Sequence, residues 1–278
     1  MTYTPKTLAE ALEIRGSQKV IPFAGGTDLM VRRRSWSGLT PRFEYPVLFI
    51  GGLKELKEIR KENGRMVIGA AVSLTELIEN SDAPEILKQA AGVMASPAIR
   101  NLGTLGGNIG NSSPAADTLP PLTVLDAVLV LESSGGRREV PISQFITGPG
   151  KNDLQENELL CAISFPLSKY NGCYYKKVGT RKADALSKVS FAGLARTADG
   201  MIEEVKIAIG AVAPRVVRSL QAEALLKGKP VSEITALWPE IKPFYQEFIR
   251  PIDDQRSTAV YRNEVAFRLI EHFITQLG

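Results

Sequence analysis

One histidine and two cysteines are all the imidazole and thiolate donors in this chain of 278 residues. Cys161 and Cys173 cannot make a four-cysteine iron–sulfur cluster, and adding His272 still makes a poor zinc set. No metal site is expected. The lone His272 lies in a helical C-terminal stretch with nothing nearby to form a Ser-His-Asp triad, so no catalytic side chain is expected either. The cysteines lack CxxC spacing, which excludes a redox motif of that kind and argues against a disulfide framework. Redox or hydrolytic chemistry would have to come from a borrowed cofactor.

Other absences narrow the reading further. The longest apolar candidate, Leu119 to Leu131, is broken by Pro120, Pro121 and Asp126, so membrane insertion is not expected. Met1 to Lys6 holds no apolar signal core, and a cytoplasmic location is the expectation. Neither GxGxxG nor GxxxxGK[ST] occurs, which removes the two commonest phosphate loops. The run Gly148-Pro149-Gly150-Lys151 lacks their spacing and reads as a turn. A net charge of +4 is spread along the chain. Its densest basic run, Arg32-Arg33-Arg34, suits a solvated loop or a subunit contact better than a nucleic-acid surface, and no nucleic-acid partner is expected.

What is present is a mixed α+β pattern. Thr7-Leu8-Ala9-Glu10 and Ser73-Leu74-Thr75-Glu76 read as capping boxes opening short helices. Strands are expected at 19–24, 47–50, 65–70, 127–132, 137–140 and 159–165, with helices at 84–94 and 118–125. The stretch 95–116 reads as a ligand-binding loop system. From Gly172 the texture changes to three β-rich segments, 174–178, 188–195 and 204–212, with Asp199-Gly200 as the last turn. Helices follow at 219–226, 231–244 and 257–277. The pattern predicts a domain boundary near Leu167 to Asn171.

Two glycine turns carry the chemistry. Ala24-Gly25-Gly26-Thr27-Asp28 follows a strand, and Gly103, Gly106, Gly107 and Gly110 crowd the second turn around Thr104 and Asn108. Such pairs permit positive φ and bring N–H groups close to a ligand without an intervening Cβ. Two of them suggest nests converging on one long anion such as a dinucleotide pyrophosphate. Asn108, Asn111 and Asp117 add polar groups, and a carboxylate such as Asp117 suits hydroxyl donors of a polyol or ribose. Asp117 also sits where it could cap a helix at Thr118.

Pro22 to Leu29, Ile99 to Ile109 and Ser113 to Asp117 together resemble the FAD-binding medium subunit of molybdenum hydroxylases, the xanthine dehydrogenase and carbon monoxide dehydrogenase flavoprotein family with its PCMH-type FAD-binding domain. Tyr175-Lys176-Lys177 with Arg181, and Asp254 to Arg262, agree with it. The resemblance implies two α/β subdomains, about 1–55 and 56–168, within an FAD-binding domain spanning 1–168. A C-terminal domain at 169–278, built from a three-stranded antiparallel sheet and helices, would follow.

The same resemblance assigns the cofactor site. The backbone of Phe23, Ala24, Gly25, Gly26, Thr27, Asp28 and Leu29, and that from Gly103 through Thr104, Gly106 and Gly107 to Asn108, would cradle the pyrophosphate and ribityl. Asn111 and Asp117 would bind polar FAD groups, Leu159 and Leu160 would pack against the cofactor, and Ile99 would reach its ring side. Lys177 would lie near the flavin, where a cation stabilises the reduced, anionic form and raises its potential. Strand alternation requires one of Lys176 and Lys177 to face water. An aromatic residue that faces the flavin in some relatives is replaced here by Leu186. No histidine or cysteine lies near Thr27, so the FAD is expected to be noncovalent.

The implied function is electron transfer in a heterotrimer. A molybdopterin-binding large subunit would oxidise the substrate, and a [2Fe–2S] small subunit would pass electrons to this FAD for delivery to an acceptor such as NAD+. Two other readings remain open on the residues alone: a self-sufficient FAD-dependent oxidase or dehydrogenase, and a non-catalytic assembly subunit that retains the fold.

Overall fold

Three larger sheets and one two-stranded ribbon, Ile146–Gly148 with Lys151–Asn152, organise the computed structural model, which describes residues 1–277. The first is a small parallel sheet ordered Thr2–Tyr3, Val47–Phe49, Ile21–Phe23. Its helix, Leu8–Ser17, starts where the Thr7 side chain accepts from the Glu10 N–H. Ala11, Leu48, Leu53 and Leu56 form the small core beneath it.

The second sheet is antiparallel and five-stranded, ordered Ile59–Glu62, Arg65–Gly69, Leu159–Pro166, Val128–Ser133, Gly136–Pro141. Its outer strand, Ile59–Glu62, is mostly exposed and charged, so no apolar alternation announces it. It is joined to the next strand at Asn63-Gly64, where both residues take the positive φ (49° and 72°) of a tight hairpin. Helices Leu74–Glu79, Glu85–Gly92 and Leu119–Val124 pack with this sheet, burying Ile68, Leu77, Leu87, Leu122 and Ile163 completely. Both halves of the Ser73–Glu76 capping box form.

Residues 95–116 differ from the expected loop system. They fold as two short helices, Pro97–Leu102 and Leu105–Gly110, each capped by the hydroxyl before it, Ser96 and Thr104. Glycine disfavours helix by roughly 1 kcal/mol per residue, and the second helix holds three glycines. Tertiary packing compensates: Leu105 and Ile109 are fully buried, and a Cβ on Gly106 would lie 2.6 Å from the Ala70 oxygen.

The third sheet is antiparallel: Gly172–Val178, Val189–Ala198 and Met201–Gly210, with a two-residue strand, Val217–Arg218, added at its edge. That addition makes four strands where three were expected, because two residues carry no readable period. Helix Ala259–Thr275 crosses the sheet, and the Phe273 ring sits on Gly193, where a Cβ would come within 2.7 Å. The single helix expected at 231–244 is instead a 3-10 segment, Val231–Leu237, followed by the α-helix Trp238–Gln246 with Pro239 in its first turn.

Candidate functional site

A cavity of about 750 Å³ lies where the first two sheets meet the third. It is reached by seventeen of the eighteen residues expected at a cofactor site, from Ala24 to Lys177. Phe23 is the exception. Its ring packs on Phe49 at 5.0 Å between centroids and lies so close to Gly26 that a Cβ there would overlap it. Phe23 therefore supports the turn and does not line the cavity. Gly26, at φ +70°, needs glycine both for its backbone and for that ring.

The first turn leaves its backbone donors unpaired. Strand Ile21–Phe23 ends, the chain turns through Gly25 and Gly26, and the four-residue helix Leu29–Arg32 begins. Among the described residues, the N–H groups of Gly25, Gly26, Thr27 and Asp28 donate to no protein acceptor. A run of free N–H groups lining a cavity is an anion-binding arrangement. Arg32, paired with Asp28 at 2.6 Å, brings a guanidinium to the same wall.

The second turn is built differently, with most of its N–H groups bonded within the protein. Leu105 N–H donates to Val72, Gly106 to Ala70, Gly107 to Thr104 Oγ1 and Asn108 to the Thr104 carbonyl. These N–H groups open a helix and are already bonded. Besides the Thr104 N–H, which donates to no acceptor among the described residues, the turn offers side chains and glycine surface. Asn108 accepts from Thr118 Oγ1 at 2.6 Å, which leaves its amide NH2 group to donate. A Cβ on Gly110 would meet nothing within 4 Å, so this glycine is not required by the protein's own packing. The two turns touch at Gly25, where a Cβ would overlap the Leu102 carbonyl.

On the third-sheet side, Lys176 is exposed and Lys177 reaches the cavity, as alternation requires. Lys177 Nζ pairs with Asp117 Oδ2 at 2.8 Å, and both side chains are about nine-tenths buried. Asp117 Oδ1 also accepts from Ser187 Oγ (2.5 Å) and Tyr175 Oη (3.3 Å). Burial and the neighbouring Asp117 charge push the Tyr175 phenol well above the usual tyrosine range, so it stays a donor. The protein thus supplies three donors to this carboxylate, two on Oδ1 and one on Oδ2, and one acceptor position of Oδ2 is left over. Ser187 escaped the sequence reading, and Tyr175 entered it only as part of the Tyr175-Lys176-Lys177 match, with no role. The available signal was that Tyr175 and Lys177, two apart on a strand, share a face.

Leu159 and Leu160 both line the cavity although they are consecutive in a strand. A bulge at the next residue, Cys161, interrupts the alternation. Burial pushes the Cys161 thiol up to about 12, so it remains an inert thiol. Ile99 and the 55% exposed Leu186 stand at the cavity's more open parts. Arg256, a lining residue from the stretch before the last helix, was given no role by the sequence. No cluster of three or more metal-binding side chains occurs among the described residues.

Residues 1–168 match the family described as the FAD binding domain in molybdopterin dehydrogenase, and residues 174–277 match the CO dehydrogenase flavoprotein C-terminal domain. The chain belongs to the FAD-binding subunits of molybdopterin dehydrogenases. It is 34% identical to the xanthine dehydrogenase FAD-binding subunit of Escherichia coli O157:H7, over 81% of this chain and 78% of that protein. It is 31% identical to the glyceraldehyde dehydrogenase medium chain of Sulfolobus acidocaldarius, over 94% and 92%. Its fold superposes on carbon monoxide dehydrogenase from Hydrogenophaga pseudoflava with a TM-score of 0.86 and 28% identity, covering 98% of this chain and 94% of that one. As a medium FAD subunit of this oxidoreductase family, the chain takes FAD as its cofactor. The site fits that group: it has free N–H donors for an anion, a buried ammonium on the cavity wall, and a glycine surface whose space the protein leaves open.

Proposed function

We propose that this chain is the electron-transfer subunit of a molybdenum hydroxylase heterotrimer. It would take electrons from a [2Fe–2S] small subunit, which serves a molybdopterin large subunit, and pass them to an acceptor such as NAD+. The observation that carries this reading is the nest at Gly25 to Asp28 facing Lys177 across one cavity, without a metal cluster of its own among the described residues. Bound FAD supplies the change from one- to two-electron transfer.

The chain's own residues bind and orient. The N–H groups of Gly25, Gly26, Thr27 and Asp28 would hold the pyrophosphate, with the Asn108 amide and Asn111 beside it. Leu159, Leu160 and Ile99 would pack on the cofactor and exclude water. Lys177 would place a positive charge at the flavin. Among the described residues, no histidine or cysteine lines the cavity, which supports noncovalent binding. The sheet-by-sheet organisation supports a boundary after residue 168, with subdomains at about 1–55 and 56–168. No helix of the described residues is long and apolar enough to cross a membrane, which is consistent with a cytoplasmic complex. Affinity isolation of the tagged chain from its native source tests the proposal. Co-purification of molybdopterin and iron–sulfur chains is the expected result, and a flavin-loaded chain recovered alone would overturn it.

A further inference from the structure

The Asp117–Lys177 pair stands on two hydroxyls that do not themselves reach the cavity. Ser187 is 1% exposed and Tyr175 9%, and neither lines the space, whereas Asp117 and Lys177 both do. Ser187 Oγ donates to Asp117 Oδ1 at 2.5 Å and Tyr175 Oη reaches the same oxygen at 3.3 Å. Lys177 Nζ takes Asp117 Oδ2 at 2.8 Å and the Val93 carbonyl at 3.3 Å. An ammonium has three N–H donors. Two are spent on the protein, and one remains for whatever occupies the cavity.

These contacts also decide how much of the lysine's charge is felt. A carboxylate with bare Oδ1 would concentrate its negative charge on its partner and neutralise the ammonium more fully. Hydroxyl donors on Oδ1 draw that charge away from Oδ2 and weaken the neutralisation, an effect enlarged by burial because the local dielectric is low. The hydroxyls also fix the carboxylate rotamer, and the carboxylate in turn fixes the tip of a side chain with four rotatable bonds.

We propose that Ser187 and Tyr175 are positioning residues for the cofactor: their hydroxyls orient Asp117, Asp117 holds Lys177 at the cavity wall, and the strength of the lysine's field on the flavin depends on both. The proposal rests on the reading that Lys177 faces the flavin, and the experiment separates the two. Ser187→Ala and Tyr175→Phe each remove one oxygen and leave the packing volume nearly unchanged. In the FAD-loaded full chain, each should move the flavin midpoint potential in the negative direction, as Lys177→Met does, with Ser187→Ala moving it further because its contact is shorter. Each should also raise the FAD dissociation constant by about 2- to 10-fold, the scale of one hydrogen bond. Ser164→Ala, which removes a buried hydroxyl bonded to Arg65 in another sheet, should lower thermal stability and leave the potential unchanged.

Adding Ser187→Ala to Lys177→Met should produce no further shift, because the hydroxyl acts through the lysine. A shift with Lys177→Met but none with Ser187→Ala or Tyr175→Phe overturns the proposal and leaves the lysine reading intact. No shift with Lys177→Met overturns both. Additive shifts in the double variant also overturn the proposal, since Ser187 would then act by another route.

Discussion

Gly25 lies against the main-chain carbonyl of Leu102, with no space between them for a methyl group. This contact joins the first glycine turn to the helix preceding the second, so the two lips of the cavity are fixed relative to each other by backbone touching backbone. Gly25→Ala must separate them. A cost of about 1–3 kcal/mol is expected for such overpacking, read as a lowered denaturation midpoint of the cofactor-free chain together with weakened FAD binding.

Gly110 gives the opposite result. It lines the cavity, ends a helix and has open space where a Cβ would go. Gly110→Ala should leave the cofactor-free chain as stable as wild type, or more stable by up to about 1 kcal/mol. FAD affinity should nevertheless fall, because the methyl group enters ligand space. Fluorescence titration of FAD alongside thermal denaturation checks both halves of this expectation.

The cap at Thr104 holds a helix that its own composition disfavours. Thr104→Ala removes the acceptor for the Gly107 N–H and should cost about 1 kcal/mol. Equilibrium urea unfolding measures it, and an unchanged midpoint would show that packing of Leu105 and Ile109 suffices without the cap.

Acid should weaken the join between the second and third sheets. Desolvation opposes ionisation of Asp126, but hydrogen bonds and charges from Lys206 and Arg218 outweigh it and hold the carboxyl below the usual range. A depressed folded-state pKa contributes stability above the unfolded value, about pH 4, and that contribution is lost as pH falls through the folded pKa. Asp126 sits at φ 52°, a conformation asparagine tolerates. Asp126→Asn should therefore fold, lose about 1 kcal/mol at pH 7 as expected for a half-exposed pair, and show a shallower decline between pH 5 and pH 3. Chemical unfolding at each pH provides the comparison.

Flavin extraction tests attachment. Mild acid denaturation of the loaded chain should release all the flavin into the supernatant. Flavin remaining in the precipitate would mean a covalent link, although no histidine or cysteine lines the cavity among the described residues.

Much of the site could be read in advance because glycine, unlike most residues, declares its backbone requirement. Gly26 carries the positive φ its position implied, and the first turn carries the free donors. The second turn looked alike in one dimension but owes its glycines to other causes: Gly106 to the Ala70 backbone, and Gly107 to the Thr104 hydroxyl, 2.8 Å from where its Cβ would be. A sequence does not say whether a glycine makes room for a ligand or for the chain itself. Asp117 was found by its place in a motif, but its partners Tyr175 and Ser187 lie 58 and 70 residues away and required the third sheet to be in place. Edge strands were the other loss. Ile59–Glu62 shows water most of its surface, and Val217–Arg218 is shorter than any period.

Helix Leu119–Val124 is bracketed by aspartates, Asp117 before it and Asp126 after it, and each is gripped by cations from the third sheet. Arg218 also donates to the Thr123 carbonyl at 2.8 Å, within the helix itself. A rod pinned at both ends cannot pivot about either. Ion pairs at both of its ends tie the parts of the chain on its two sides to one another. A cut after residue 168 would strip Lys177, Leu186 and Arg256 from the cavity wall and leave Asp117 buried without its cation.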